Sequence, residues 1–212
     1  MSVITPSLTY SSATEYTAYM NKLEGFAERI HIDVSDGILA PVRSITLPQA
    51  WWPSGLVADV HVMYQRPLSY TEQLVAMKPH LVIVHPEADG DLRAFGDHLR
   101  QFGIKFGIAI MPDASLGKLK DLLDRADHAL IFSGKLGFYG GHADPSRFEQ
   151  ISELKRRYRG IEIGWDGGAN TENAYAIAHA GVDVINVGSG LSKMPDLRLA
   201  YATLVEEVRD QK

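Results

Sequence analysis

The sequence predicts an α/β protein, a closed parallel (β/α)8 barrel (TIM barrel) in a single domain over residues 1–212. Short β-rich apolar runs alternate with longer amphipathic ones until eight strand candidates are counted. No Pro/Gly/Ser linker or shift in composition divides the chain. The polar residues that interrupt the apolar runs cluster at the C-terminal ends of the strands, where α/β folds bind their ligands. The alternation alone also fits an open, doubly wound sheet.

In chain order, the strands are expected at Val3–Pro6, Ile30–Val34, Val57–Met63, Leu81–His85, Phe106–Ile110, Ala129–Phe132, Ile161–Trp165 and Val184–Val187. Each is short, apolar and rich in β-branched or aromatic residues. Helical periodicity runs through Ala13–Phe26, Asp91–Phe102, Ser115–Arg125, Pro145–Tyr158, Thr171–Ala180 and Leu197–Asp210. The segment 39–54 carries three prolines and is expected to be irregular. Within it, Trp51-Trp52-Pro53 is read as packing or as an interface.

Composition narrows the function. At 45% hydrophobic and 22% charged residues, the chain can bury a full core. A net charge of −5 gives no basic footprint for nucleic acid or an anionic membrane. With no cysteine there is no disulfide, thiolate metal site or cysteine nucleophile. No apolar run is long enough to span a bilayer and no signal peptide is evident, so the expected location is the cytoplasm.

The strand ends carry the chemistry. In HIDVSDG (31–37), His31 and Asp33 stand two residues apart and therefore on one face of a strand. The third strand offers His61 and Met63, and the seventh ends at Asp166. Taken singly, each of these polar groups could be a hydrogen-bonded core residue. Together, His31, Asp33, His61 and Asp166 make a mixed N/O donor set for one divalent metal, with zinc, iron, manganese and cobalt all compatible. Glycine clusters follow the last three strands, as GFYGG (137–141), DGG (166–168) and GSG (188–190). Such runs let backbone N–H groups approach a phosphate. His80, His98, His128 and His179 fall away from this rim and are assigned no chemistry. Lys155-Arg156-Arg157 reads as a solvated helix face.

The motifs PSL (6–8), HIDVSDG, DVHVM (59–63), VHPEA (84–88), GFYGG, WDGGAN (165–170) and VGSGL (187–191) occur in this order. As a set they resemble ribulose-phosphate 3-epimerases, over roughly residues 4–196. The resemblance implies a barrel of the ribulose-phosphate-binding type that interconverts D-ribulose 5-phosphate and D-xylulose 5-phosphate with a divalent metal. It implies His31, Asp33, His61 and Asp166 as ligands, with Asp33 and Asp166 also serving as the acid/base pair in a proton transfer through an enediolate. Substrate contacts would come from Ser7, His61, Met63, Gly137, Phe138, Gly140, Gly168, Gly188 and Ser189. A homodimer or larger homo-oligomer is implied as well.

Some positions depart from the pattern. Ser35 and Phe132 stand where the family usually has methionine. Tyr139 interrupts the glycine loop after the sixth strand, and Lys135 in that loop is a candidate phosphate contact. Two other functions remain open: epimerisation of a related ketose phosphate such as D-allulose 6-phosphate, and non-catalytic binding of a sugar phosphate.

Overall fold

The computed structural model describes residues 2–134, 136, 138 and 140–209. Eight strands, β1 (Val3–Leu8), β2 (Arg29–Ser35), β3 (Val57–Met63), β4 (Leu81–Val84), β5 (Lys105–Ile110), β6 (His128–Phe132), β7 (Glu162–Asp166) and β8 (Val184–Val187), close in sequence order. Every pairing is parallel. The open-sheet alternative is ruled out by the seam between β1 and β8, which runs from Val3 opposite Val184 to Pro6 opposite Val187.

Around the barrel lie α1 (Ala13–Leu23), α2 (Thr71–Met77), α3 (Leu92–Gln101), α4 (Lys120–Leu123), α5 (Phe148–Arg157), α6 (Ala174–His179), α7 (Ser189–Ser192) and α8 (Leu197–Arg209). Several depart from the periodicity. The expected 13–26 helix stops at Leu23, two residues before Gly25 turns the chain at φ +89°. The 115–125 helix shrinks to Lys120–Leu123, whose start has no side-chain cap. The 171–180 helix loses its first turn because Asn173 is drawn into the preceding loop. Its amide donates to the Gly168 carbonyl at 3.0 Å and its Oδ1 accepts from Asn170 N at 2.9 Å. The helix expected over 145–158 opens with a 3-10 turn at Pro145–Arg147. Among the described residues, no helix is long and apolar enough to cross a membrane.

Segment 39–54 is irregular as expected, apart from a 3-10 turn at Leu47–Gln49, yet Ile45 and Leu47 in it are fully buried. Trp51 packs against α1. Its carbonyl accepts from Tyr16 Oη at 2.5 Å, and its indole N–H donates to Thr17 Oγ1 at 3.3 Å.

Strand alternation divides the buried residues into two environments. One face of the strands, including Ile30, Ile32, Val34, Val60, Ile131 and Ile163, packs in the two large apolar clusters with the helices. The other face points into the barrel. There the only apolar cluster among the described residues is small, made of Leu81, Ile83, Ala109 and Leu130 from β4, β5 and β6. Much of the rest of the interior is polar: His31, Asp33, Asp59, His61 and Asn186 are all buried. Helix packing thus holds the barrel together while one half of its lumen is left for chemistry.

The N-terminal end of the lumen is closed by an ion network. The Arg29 guanidinium donates through Nε to Asp59 Oδ2 at 2.7 Å, and through both terminal nitrogens to Glu162 at 2.9 and 2.8 Å. His128 Nδ1 lies 2.8 Å from Glu162 Oε2. The neighbouring strand position must be Gly164, because a Cβ there would run into the His128 ring. Burial alone would raise the Glu162 carboxyl, but hydrogen bonds from Arg29 and then His128 hold it well below the usual range. Removing Arg29 leaves two carboxylates without their counter-charge, so Arg29→Ala should cost about 3–5 kcal/mol of stability. Since the folded-state pKa of Glu162 is depressed, its contribution is present above the ordinary glutamate value of about 4.3 and declines as the pH falls below it. Urea unfolding at pH 7 and pH 3 checks both points: the gap between wild type and variant should narrow at the lower pH.

Candidate active site

Three strands deliver the polar cluster. On β2, His31 and Asp33 face the lumen one above the other, and the β2–β3 register sets Asp33 opposite His61. This register brings His61 Nδ1 to 2.9 Å from Asp33 Oδ1. From β7, Asp166 reaches to 4.0 Å of His31 Nε2 through its Oδ2. One ligand atom from each of His31, Asp33, His61 and Asp166 lies within 4.8 Å of the others.

The donor set fits a divalent cation on geometry as well as on chemistry. His31 is fully buried, and neither of its ring nitrogens finds a hydrogen-bond partner among the described atoms. Its Nε2 stands 3.2 Å from Asp33 Oδ1 without the alignment of a hydrogen bond. A buried nitrogen left unpaired while facing two carboxylates is costly unless something between them accepts its lone pair. Two imidazoles and two carboxylates suit zinc or a first-row transition ion.

The two carboxylates differ in acid strength. Burial would raise Asp33, but the adjacent His31, first by its charge, and contacts from His31 and His61 hold it well below the usual carboxylate range. Asp166 is pushed up to about 6, by burial and then by the Asp33 charge, against smaller opposing effects of the two histidines. Burial opposes a charge on His31, yet the Asp33 carboxylate and then Asp166 raise its pKa above the ordinary value. A carboxylate pair whose acid strengths are driven apart in this way can divide the roles of base and acid.

The hydroxyl of Thr9 donates to Asp33 Oδ2, and Ser7 Oγ donates to the same oxygen at 3.3 Å. Above this layer opens a cleft lined by Ser7, Asp33, Met63, Phe138, Gly140, Asp166, Gly168, Gly188 and Ser189. These sequence-predicted residues therefore meet at one rim, with His31 and His61 buried beneath it. Gly137, Lys135 and Tyr139 lie outside the described residues. The DGG turn brings two loops together: Gly168, at φ +71°, sits where a Cβ would collide with the backbone of His142 and Ala143.

Sequence reasoning assigned no role to four residues of this region, of which only His85, at the end of the fourth strand, stood among its rim residues. Thr9 lies just beyond its strand, on the same face as Ser7. Asn186 lines the cleft from β8, opposite Asp166 in register, and its position inside an apolar strand was the available signal. His85 is buried beside His61. Lys193 follows α7, and its Nζ lies 3.8 Å from where a Cβ on Gly140 would sit, so it brings a cation to the glycine rim.

Comparison with known proteins identifies the family. A model of the ribulose-phosphate 3 epimerase family matches residues 3–192. The chain is 29% identical over 199 residues to a ribulose-phosphate 3-epimerase of Chlamydia muridarum, covering 89% of this chain and 86% of that protein. It is 27% identical over 212 residues to one of Bacillus subtilis, covering 94% and 96%. Among solved structures, 3-hexulose-6-phosphate synthase from Salmonella typhimurium superimposes with a TM-score of 0.70 at 12% identity, covering 99% of both chains. Orotidine 5'-phosphate decarboxylase from Pyrococcus horikoshii does so with 0.68 at 16%, covering 98% and 99%. These structural likenesses speak to the barrel alone, whereas the family match runs from β1 to α7: the chain belongs to the ribulose-phosphate 3-epimerase family and is an isomerase.

Proposed function

We propose that the protein is a metal-dependent ketose-phosphate 3-epimerase of the cytoplasm that interconverts D-ribulose 5-phosphate and D-xylulose 5-phosphate. The observation that carries this reading is the pair of aspartates, Asp33 and Asp166, set on strands that are not neighbours and both lining one cleft over the histidines. A divalent ion (zinc, iron, manganese or cobalt) held by His31, Asp33, His61 and Asp166 would supply Lewis-acid stabilisation of the negative charge that develops on the substrate oxygens.

The chain's own residues do the rest. Asp33, kept ionised, takes the C3 proton from one face of the substrate. Asp166, carrying a proton, delivers it to the opposite face of the resulting enediolate, so the configuration inverts. In the reverse direction the roles exchange. Ser7 and Thr9, hydrogen-bonded to Asp33 Oδ2, hold that carboxylate in place. Met63 and Phe138 wall the cleft, and backbone N–H groups at Gly140, Gly168, Gly188 and Ser189 would grip the phosphate. Simple sugar-phosphate binding does not require two opposed carboxylates, which disfavours a non-catalytic role.

The test is proton exchange in D2O. Deuterium should enter C3 of D-ribulose 5-phosphate, with D-xylulose 5-phosphate accumulating. Absence of both would remove the catalytic reading. A higher kcat/KM for D-allulose 6-phosphate in the same panel would reassign the substrate. Self-association belongs to the reading too, since Ile38, Val42 and Trp51 expose apolar surface in segment 38–51. Sedimentation at micromolar concentration should show a dimer or larger species, and a 23.4 kDa species alone would count against it.

A further inference from the structure

We infer that His85 is a positioning residue for the metal cluster: it holds His61 in the one tautomer whose Nδ1 presents a lone pair to a cation. The inference rests on the metal-dependent reading above. His61 Nε2 and His85 Nε2 are 2.8 Å apart, and the two rings are nearly parallel at 24° with centroids 5.0 Å apart. Both side chains are buried, so water is not at hand to replace either partner. Two ring nitrogens at that distance share a single proton, with one donating and the other accepting.

His61 therefore stands in the middle of a row, with Asp33 Oδ1 at 2.9 Å from its Nδ1 and His85 at its Nε2. Two proton arrangements are open to the row: the first needs no cation, and the second needs one between His61 Nδ1 and the Asp33 carboxylate, since two lone pairs would otherwise face each other at 2.9 Å. In the first, His61 Nδ1–H donates to Asp33 and Nε2 accepts from His85. No lone pair then remains at Nδ1, and His61 cannot ligate from the side that faces the cluster. In the second, His61 Nε2–H donates to His85 and Nδ1 is free to ligate.

A cation at Nδ1 favours the second, and that arrangement needs a buried acceptor for the His61 Nε2 proton, which His85 Nε2 is placed to supply. To accept at Nε2, a neutral His85 keeps its proton on Nδ1. That nitrogen has no hydrogen-bond partner among the described atoms, and the nearest charge to it is the Glu87 carboxylate, with Oε2 at 3.9 Å. A half-exposed carboxylate at that distance adds a modest preference for an N–H over a lone pair. With a cation bound, the row thus settles with His61 offering Nδ1 inward and its Nε2 proton held by His85. Outer partners of this kind commonly orient metal-bound histidines through the other ring nitrogen.

The test reads metal affinity rather than turnover. Zn2+ is titrated calorimetrically into the metal-free wild type, His85→Phe and His85→Gln. Phenylalanine keeps the ring volume without an acceptor, and glutamine keeps an acceptor oxygen. His85→Phe should bind Zn2+ about 10–100-fold more weakly, and His85→Gln should recover most of that loss. Equal affinity in wild type and His85→Phe, or a glutamine variant as weak as the phenylalanine one, overturns the inference.

Nitrogen-15 NMR of the Zn2+-loaded, unsubstituted protein decides the matter even where a variant does not fold. His61 should show a protonated Nε2 and a metal-bound Nδ1, and the reverse assignment overturns the inference. If the wild type takes up no Zn2+ at all, the metal-dependent reading itself fails. That outcome is distinct from wild-type binding that His85 does not influence.

Discussion

Asp33→Asn and Asp166→Asn should each abolish epimerisation, by about 10²–10⁴-fold from the loss of a general acid or base alone. The asparagine side chain keeps the shape of the aspartate and can still accept from Thr9 and Ser7 at position 33. What it loses is the charge and the capacity to carry a proton. The two variants should differ in a way that a single-base mechanism does not produce. With Asp166 replaced, Asp33 can still exchange the C3 proton of the one epimer that presents it on its own face, but no group remains to reprotonate the other side. Exchange without inversion is then the expected signature, with the complementary epimer affected in the Asp33 variant. Following C3 deuterium in each purified epimer by NMR checks this. Near-normal interconversion by either variant with metal bound would falsify the two-carboxylate assignment.

Protein purified without added metal should carry close to one equivalent of zinc or a transition ion per chain. Removing it with a chelator should take epimerisation to background, and adding it back should restore the rate. The physical basis is the unpaired, fully buried His31 facing Asp33 and Asp166. Ligands must shed their protons to bind, so affinity falls on acidification. Here His31 is raised above its ordinary value and Asp166 lies near 6, so the fall should begin in mildly acid solution rather than near pH 4. Elemental analysis and activity measured across pH 5–8 test both statements. Full activity in metal-free protein would overturn the ligand assignment.

Much of this site is legible in local sequence, because strand geometry is local. Residues two apart share a face, so His31 with Asp33, and His61 with Met63, can be assigned to the lumen before any partner is known. Strand length and polarity likewise point to the C-terminal ends, and β3 and β8 begin and end where the apolar runs do. Helix lengths are less legible, since the 115–125 and 171–180 periodicities are overridden by an uncapped start and by asparagine side chains that bond to the loop. Trp51 shows the same limit, because its partners Tyr16 and Thr17 lie more than thirty positions away.

Closure and register belong to the tertiary structure alone. An open sheet and a barrel share the same alternation, and only backbone hydrogen bonds between β1 and β8, at opposite ends of the chain, separate them. His85 sits one residue past β4, and nothing near it in sequence announces that it faces His61. That contact depends on the β3–β4 register, which sets His61 opposite Ile83. The divergence of Asp33 and Asp166 is a long-range property as well. The two side chains are chemically identical, and they differ because burial and neighbouring charges are distributed unequally around them when strands distant in sequence enclose one lumen.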